Sequence, residues 1–231
     1  MSTEGVNEKS ANGFNFVDHL KSKLKNSSGL RKGERTRATL EIATAKILSE
    51  SGYHDLRVTD ICSEAGVANG TFYRYWKDTE AATFDTLTLF MATIRQKRPR
   101  FVEQVPLYSR LSVGHLYYIS IYFENPGLMR CHFQLVDQLP KFAEMDLAQN
   151  IRIARRIVAA FENEGLIGPW PATADERMAT ALSCIASVDG CLRMISAYPD
   201  KLGYGHEMLA STFTNVWFRS FTGRDGQASE G

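Results

Sequence analysis

Side chains able to do covalent or metal chemistry are few and scattered in this sequence. The five histidines, His19, His54, His115, His132 and His206, form no His-x-x-x-His pair, and neither a nucleophile elbow nor a phosphate loop occurs among the 231 residues. The four cysteines, Cys62, Cys131, Cys184 and Cys191, lack Cys-x-x-Cys spacing, which argues against a zinc knuckle or redox motif and for reduced, buried thiols. Cys131 and His132 are adjacent, but neighbours on a helix point about 100° apart and cannot act together as nucleophile and base. An enzyme is therefore not expected, nor is a metal or a cofactor.

Cations and short polar side chains are organised instead. The net charge is only +1, yet residues 1–100 hold 16 Lys and Arg against 12 Asp and Glu, whereas residues 101–231 hold 11 against 14. Residues 21–37 carry Lys21, Lys23, Lys25, Arg31, Lys32, Arg35 and Arg37 against Glu34 alone. That cluster is the footprint expected of a polyanion-binding arm, with Arg35 and Arg37 as candidate phosphate contacts. A second group, Asn69, Gly70, Thr71, Tyr73 and Arg74, places hydrogen-bonding side chains within six residues, a set suited to base edges and phosphates.

Such groups need rigid elements to aim them, and nearly every segment reads as helix. From Arg35 to Ser51, Leu40, Ala43, Ile47 and Leu48 form one apolar stripe, and Gly52 stops it. Thr59 reads as the N-cap of a short helix that turns Ile61, Cys62 and Ala65 inward and ends at Gly66. A third helix is expected from Asn69 through Tyr75 or Trp76. Two short helices joined by a glycine turn make a helix-turn-helix, in which Thr59 lies at a helix N-terminus that favours a phosphate. Asp78 caps a helix from Thr79 to Arg95, and Pro99 lies just beyond its end. Five more helical stretches follow, over 107–123, 126–138, 142–163, 173–198 and 206–221, delimited by Pro and Gly. Residues 1–13 and 25–33 are rich in Ser, Asn, Gly and Lys and read as mobile. Between them Phe14, Phe16, Val17, Leu20 and Leu24 fall near helical spacing. No stretch approaches roughly 18 consecutive apolar residues, so no membrane span is expected.

Residues 36–82 resemble the DNA-binding region of TetR-family transcriptional regulators. The matching run is Thr59-Asp60-Ile61-Cys62 followed by Ala65-Gly66-Val67-Ala68-Asn69-Gly70-Thr71-Phe72-Tyr73-Arg74-Tyr75-Trp76. The resemblance implies that Thr71 and Tyr73 contact phosphate while Asn69 and Gly70 lie at base edges. Ala68 stands where the family frequently has serine, and Thr79 where it usually has a phosphate-binding lysine. Lys77 is the candidate substitute for that lysine.

The remaining two-thirds carries no quotable motif. Aromatic rings with polar tips suit a pocket for an apolar ligand, and the resemblance implies a small-molecule cavity there. The candidates are Phe90, Tyr118, Tyr122, Phe123, His132 and Phe133. The last two helices mix small and large apolar residues on more than one face. Ala186, Gly190, Phe213 and Trp217 are therefore expected at an interface with a second copy.

The expectation is an all-α homodimer. Its chain would comprise a flexible basic arm (1–30), a three-helix DNA-binding domain (31–80), a helical ligand-binding and dimerisation domain (81–223) and a flexible tail (224–231). The expected function is ligand-responsive regulation in the cytoplasm, as a repressor released from a pseudo-palindromic DNA operator by a small apolar or aromatic molecule. A helical small-molecule carrier without regulatory DNA binding is the alternative.

Overall fold

A computed structural model describes residues 13–101 and 105–224. Among these residues there is no strand, and the helices are α1 (Phe16–Asn26), α2 (Lys32–Ser51), α3 (Val58–Ala65), α4 (Asn69–Phe72), α5 (Thr79–Lys97), α6 (Leu107–Glu124), α7 (Pro126–Gln138), α8 (Pro140–Asn163), α9 (Ala174–Ala197) and α10 (His206–Thr222). The chain divides into two compact units. The first contains residues 14–97 and 124–142, and the second contains 98–123 and the chain from 143 onward. The expected domain boundary near residue 80 thus differs from the packing, because α7 returns to the N-terminal unit.

In the first unit α2 is the hub and packs against α1, α3, α5 and α7. Leu40, Ala43 and Leu48 are buried as the apolar stripe requires, and Gly52 ends the helix at φ +84°, a left-handed backbone that favours glycine. The arm expected to be flexible contains the helix α1, because Phe16, Val17 and Leu20 fall on one face and are buried. Two asparagines fix its start reciprocally. The Asn125 side chain accepts from the Phe16 N–H at 2.7 Å and donates to the Phe14 carbonyl at 2.8 Å. Asn15 accepts from the Asp18 N–H at 3.1 Å and donates to the Glu124 carbonyl at 3.2 Å. Beside this clamp α7 meets α2 with no space to spare, since a Cβ on Gly127 would lie 2.6 Å from the Ser49 carbonyl carbon and collide with its oxygen.

In the second unit α9 and α10 pack together, with rings forming the core. Phe161 stacks on Phe221 at 4.3 Å, and Tyr108 meets Phe218 edge-on at 5.5 Å. The Trp217 indole donates to the Cys184 carbonyl at 3.1 Å and stands edge-to-face with His115 at 4.5 Å. By length and composition α9 is apolar enough to cross a membrane, a property that a search for unbroken apolar runs does not register. Only 33% of its apolar window is buried.

Candidate nucleic-acid interface

The helix-turn-helix is built by a few buried side chains and two tight turns. Val58 opens α3 after Arg57, so Thr59 lies inside the first turn instead of capping it, with its hydroxyl 3.3 Å from the Asp60 carboxylate. The cap position falls earlier because Leu56 is already buried and the Asp60 and Ile61 amides both donate to the Arg57 carbonyl. Gly66 ends α3 in the left-handed region at φ +66°, and the Val67 N–H returns to the Cys62 carbonyl at 3.0 Å. The turn then delivers α4, which is shorter than its sequence reads. After Phe72 the Arg74 and Tyr75 amides bond three residues back, so the chain tightens into turns before Trp76.

Three anchors hold this segment. Phe72 is fully buried and Trp76 nearly so. The Tyr75 hydroxyl donates to the Gly33 carbonyl at 2.9 Å, which ties the segment to the first turn of α2. The Trp76 indole donates to Asp85 at 2.9 Å. Asp78 caps α5 as expected, accepting from the Ala81 N–H at 2.8 Å.

Between those anchors the candidate contacts face outward. Ala68, Asn69, Gly70 and Arg74 are exposed, Tyr73 is 60% exposed, and Thr71 is half-buried. Asn69, Thr71 and Arg74 make no side-chain hydrogen bond among the described residues, so their donors and acceptors are available to a partner. A side chain at Gly70 would meet nothing within 4 Å, so intramolecular packing does not demand glycine there. A glycine left on an open face permits close backbone approach by another molecule. Lys77 is exposed and, among the described residues, pairs with the neighbouring Asp78 alone, at 3.5 Å.

The two arginines expected at phosphates make contacts within the protein. Arg37 is committed within the protein, with Nε 3.1 Å from Glu41, Nη2 3.1 Å from Asp85 and its guanidinium 5.5 Å from the centre of the Trp76 ring. It braces Trp76, and two carboxylates already neutralise it. Arg35 donates to the Ser27 carbonyl at 3.2 Å and shapes the α1–α2 turn. Sequence reasoning missed Asp85, Tyr75 and Asn125. Asn125 is hidden from the sequence because the partners of its side chain lie 109 and 111 positions away.

The six expected ligand residues do not fall in one unit. Phe90, His132 and Phe133 belong to the first, Tyr118, Tyr122 and Phe123 to the second. Phe90 is fully buried against Phe16, with ring centres 5.0 Å apart, so it serves the α1–α5 contact instead of a cavity wall. His132 is buried against Phe133 and Phe142. The Tyr118 hydroxyl is buried and donates to Asp189 at 2.8 Å, and burial together with that carboxylate pushes its pKa well above the ordinary phenol value. Phe123 stacks on His206 at 4.9 Å.

The four expected interface residues divide similarly. Ala186 and Gly190 are exposed, and nothing lies within 4 Å of a Cβ on Gly190. Phe213 and Trp217 turn inward instead, because both rings pack on His115. An open groove of about 410 Å³ between α9 and α10 is lined by Trp170, Thr180, Ser183, Cys184, Ser187 and Val216, among others. Burial pushes the thiols of Cys62, Cys131, Cys184 and Cys191 upward, which is the opposite of nucleophilic activation. No group of His, Cys, Asp and Glu able to hold a metal occurs among the described residues.

A short buried-anchor helix pair with an exposed polar turn defines this as a helix-turn-helix protein with a helical C-terminal region. Residues 42–81 match the family described as bacterial regulatory proteins, tetR family. The fatty acid metabolism regulator protein of Bacillus subtilis (strain 168) is 32% identical over 63 residues, covering 27% of this chain and 29% of that relative. The chain thus matches under a third of that relative's length. Among solved structures, the fatty acid degradation regulator FadR of Bacillus halodurans aligns with a TM-score of 0.62 at 16% identity, over 79% of this chain and 94% of that one. A transcriptional regulator of Rhodococcus sp. RHA1 aligns with a TM-score of 0.61 at 17% identity, over 86% and 100%. These structural likenesses cover both regions of the chain and share its all-α architecture.

Proposed function

We propose that this protein is a ligand-responsive, DNA-binding transcriptional regulator that acts as a homodimer. The observation that carries the reading is the turn from Ala68 to Arg74, where Asn69, Tyr73 and Arg74 are exposed and Asn69, Thr71 and Arg74 make no side-chain hydrogen bond among the described residues, while Phe72, Tyr75 and Trp76 lock the backbone. Rigid backbone with free polar tips is what sequence readout in a major groove requires. Asn69 and Gly70 meet base edges, and Thr71, Tyr73 and Thr59 meet phosphates. Arg74 and Lys77 extend the contact.

Dimerisation is supported by the exposed stripe of Ser183, Ala186, Ser187, Gly190 and Met194 on α9, continued on α10 by Met208, Thr212 and Val216. Small residues on an apolar helix that is only one-third buried leave a face for a second helix pair. In a two-fold dimer the recognition turns meet half-sites about 34–36 Å apart. The effector is a small apolar molecule, and the names of the Bacillus relatives make fatty-acid-derived compounds the first class to try. Repression with release on effector binding is the simplest regulatory scheme, since a ligand shifts the population by its differential affinity for two states.

Selection of binding sites from a random duplex pool tests the reading. The expected product is a pseudo-palindrome that Asn69→Ala reads less strictly at one or two base pairs, each worth about 1–3 kcal/mol. Fatty acyl compounds are then titrated for release. A wild-type protein that enriches no sequence defeats the proposal.

A further inference from the structure

The basic cluster ahead of the helix-turn-helix is folded into a fixed ridge. Buried Phe16, Val17 and Leu20 lock α1 onto the first unit, and the asparagine clamp holds its start at the α7 end of α2, near Ser49. Its last turn lies at the opposite end of α2, where Arg35 donates to the Ser27 carbonyl at 3.2 Å. The two helices therefore run antiparallel, and the α1–α2 corner collects Lys23, Lys25, Arg31 and Lys32, all exposed.

These four cations have no carboxylate partner among the described residues. Asp18 lies 3.9 Å from Lys21, and the Glu34 carboxylate accepts from the Arg31 backbone N–H at 2.8 Å as part of the α2 cap. The corner also adjoins the recognition turn. The Tyr75 hydroxyl bonds the carbonyl of Gly33, the residue after Lys32, and Tyr75 directly follows Arg74. Uncompensated charge that folding holds beside an exposed reading turn fits a polyanion running past that turn.

Resting on the DNA-binding reading, we infer that Lys23, Lys25, Arg31 and Lys32 form a second contact surface that grips backbone phosphates flanking the base pairs read by Asn69 and its neighbours. Duplex DNA presents one phosphate charge per roughly 1.7 Å of axis, so four cations on one corner match a short stretch of backbone. Contacts of this kind add affinity and salt dependence without adding sequence preference. The competing role for Lys23 and Lys25 is local: cations in the last turn of a helix stabilise its negative dipole end.

The test uses the full-length protein and the duplex that the wild type selects from a random pool. The Lys23→Gln/Lys25→Gln/Arg31→Gln/Lys32→Gln variant should keep the selected sequence preference and the wild-type melting temperature. Its log Kd against log salt slope should fall by up to about 3.6 per protomer, at roughly 0.9 for each phosphate no longer gripped. Trimming base pairs outside the selected site should weaken the wild type and leave the variant unchanged. An unaltered slope, while Tyr73→Ala still loses binding, would overturn the inference and leave the recognition turn standing. A lowered melting temperature with a normal slope would also overturn it, assigning the lysines to the end of α1. Failure of the wild type to select any duplex would overturn the DNA reading, and the inference with it.

Discussion

The two units handle their polar groups in opposite ways. In the first, Asn69, Thr71 and Arg74 of the 68–74 turn make no side-chain hydrogen bond among the described residues, while the backbone beneath is fixed by Phe72, Tyr75 and Trp76. In the second, polar groups are taken inside. His115 is buried with Nδ1 2.9 Å from the Thr214 hydroxyl, and that hydroxyl donates to the Ala210 carbonyl at 2.7 Å. The imidazole must therefore donate from Nδ1, which leaves Nε2 a bare acceptor with no partner among the described residues. Tyr118 is likewise interior and bound to Asp189. The surface turn costs little and is free to recognise a partner, whereas the buried groups set pH limits on stability.

The largest expected effect tests the rigidity under the first unit. Gly127→Ala would drive a methyl into the Ser49 carbonyl, a backbone group that cannot swing aside. Thermal or urea unfolding should show a loss of about 3 kcal/mol, the upper range for overpacking. A wild-type midpoint would mean that α7 is not fixed against α2. Gly190→Ala on the open face of α9 is the control, and it should match or exceed the wild type in stability because alanine is the better helix former.

The next effect distinguishes the interior of the second unit. Burial lowers the His115 pKa to about 3, from an ordinary 6.5. Between those values the unfolded chain binds the extra proton, so stability is whole above pH 6.5 and declines as the pH falls. At pH 5 the loss is about 2 kcal/mol relative to pH 7, at 1.36 kcal/mol per unit. Urea unfolding of wild type and His115→Phe at both pH values should differ by that amount. Equal pH responses would place a charged or solvated imidazole at this position.

The smallest effect concerns the boundary between bracing and binding. Arg37 is 49% exposed and committed to Glu41 and Asp85, so Arg37→Gln should cost under about 1 kcal/mol and leave the salt slope of DNA binding unchanged. A reduced slope would restore Arg37 to the phosphate contacts.

Much of the first unit is legible in the sequence for local reasons. The stripe of Leu40, Ala43 and Leu48, the left-handed stop at Gly66 and the cap at Asp78 depend on neighbours a few residues away, and the structure has all three. The bracing role of Arg37 is hidden because Asp85 lies 48 positions downstream, and spacing along one helix shows only the partner at Glu41. The order of α1 is hidden for the same reason: its short apolar face is secured by Phe90 and Asn125, both distant in sequence. Phe213 and Trp217 are as apolar as any interface residue, and only the position of His115 shows that they face inward.

The return of α7 to the first unit has a consequence for protein engineering. A helix-turn-helix module cut from this chain at residue 97 would lose Asn125, leaving the Phe16 amide without its acceptor, and would uncover the surface of α2 that Gly127 covers. A chimera that grafts this first unit onto another protein must therefore transplant two pieces, 14–97 and 124–142, with junctions in register. Recombination at a single crossover after residue 97 would separate Phe16 from Asn125 and α2 from Gly127, giving an ill-fitted hybrid.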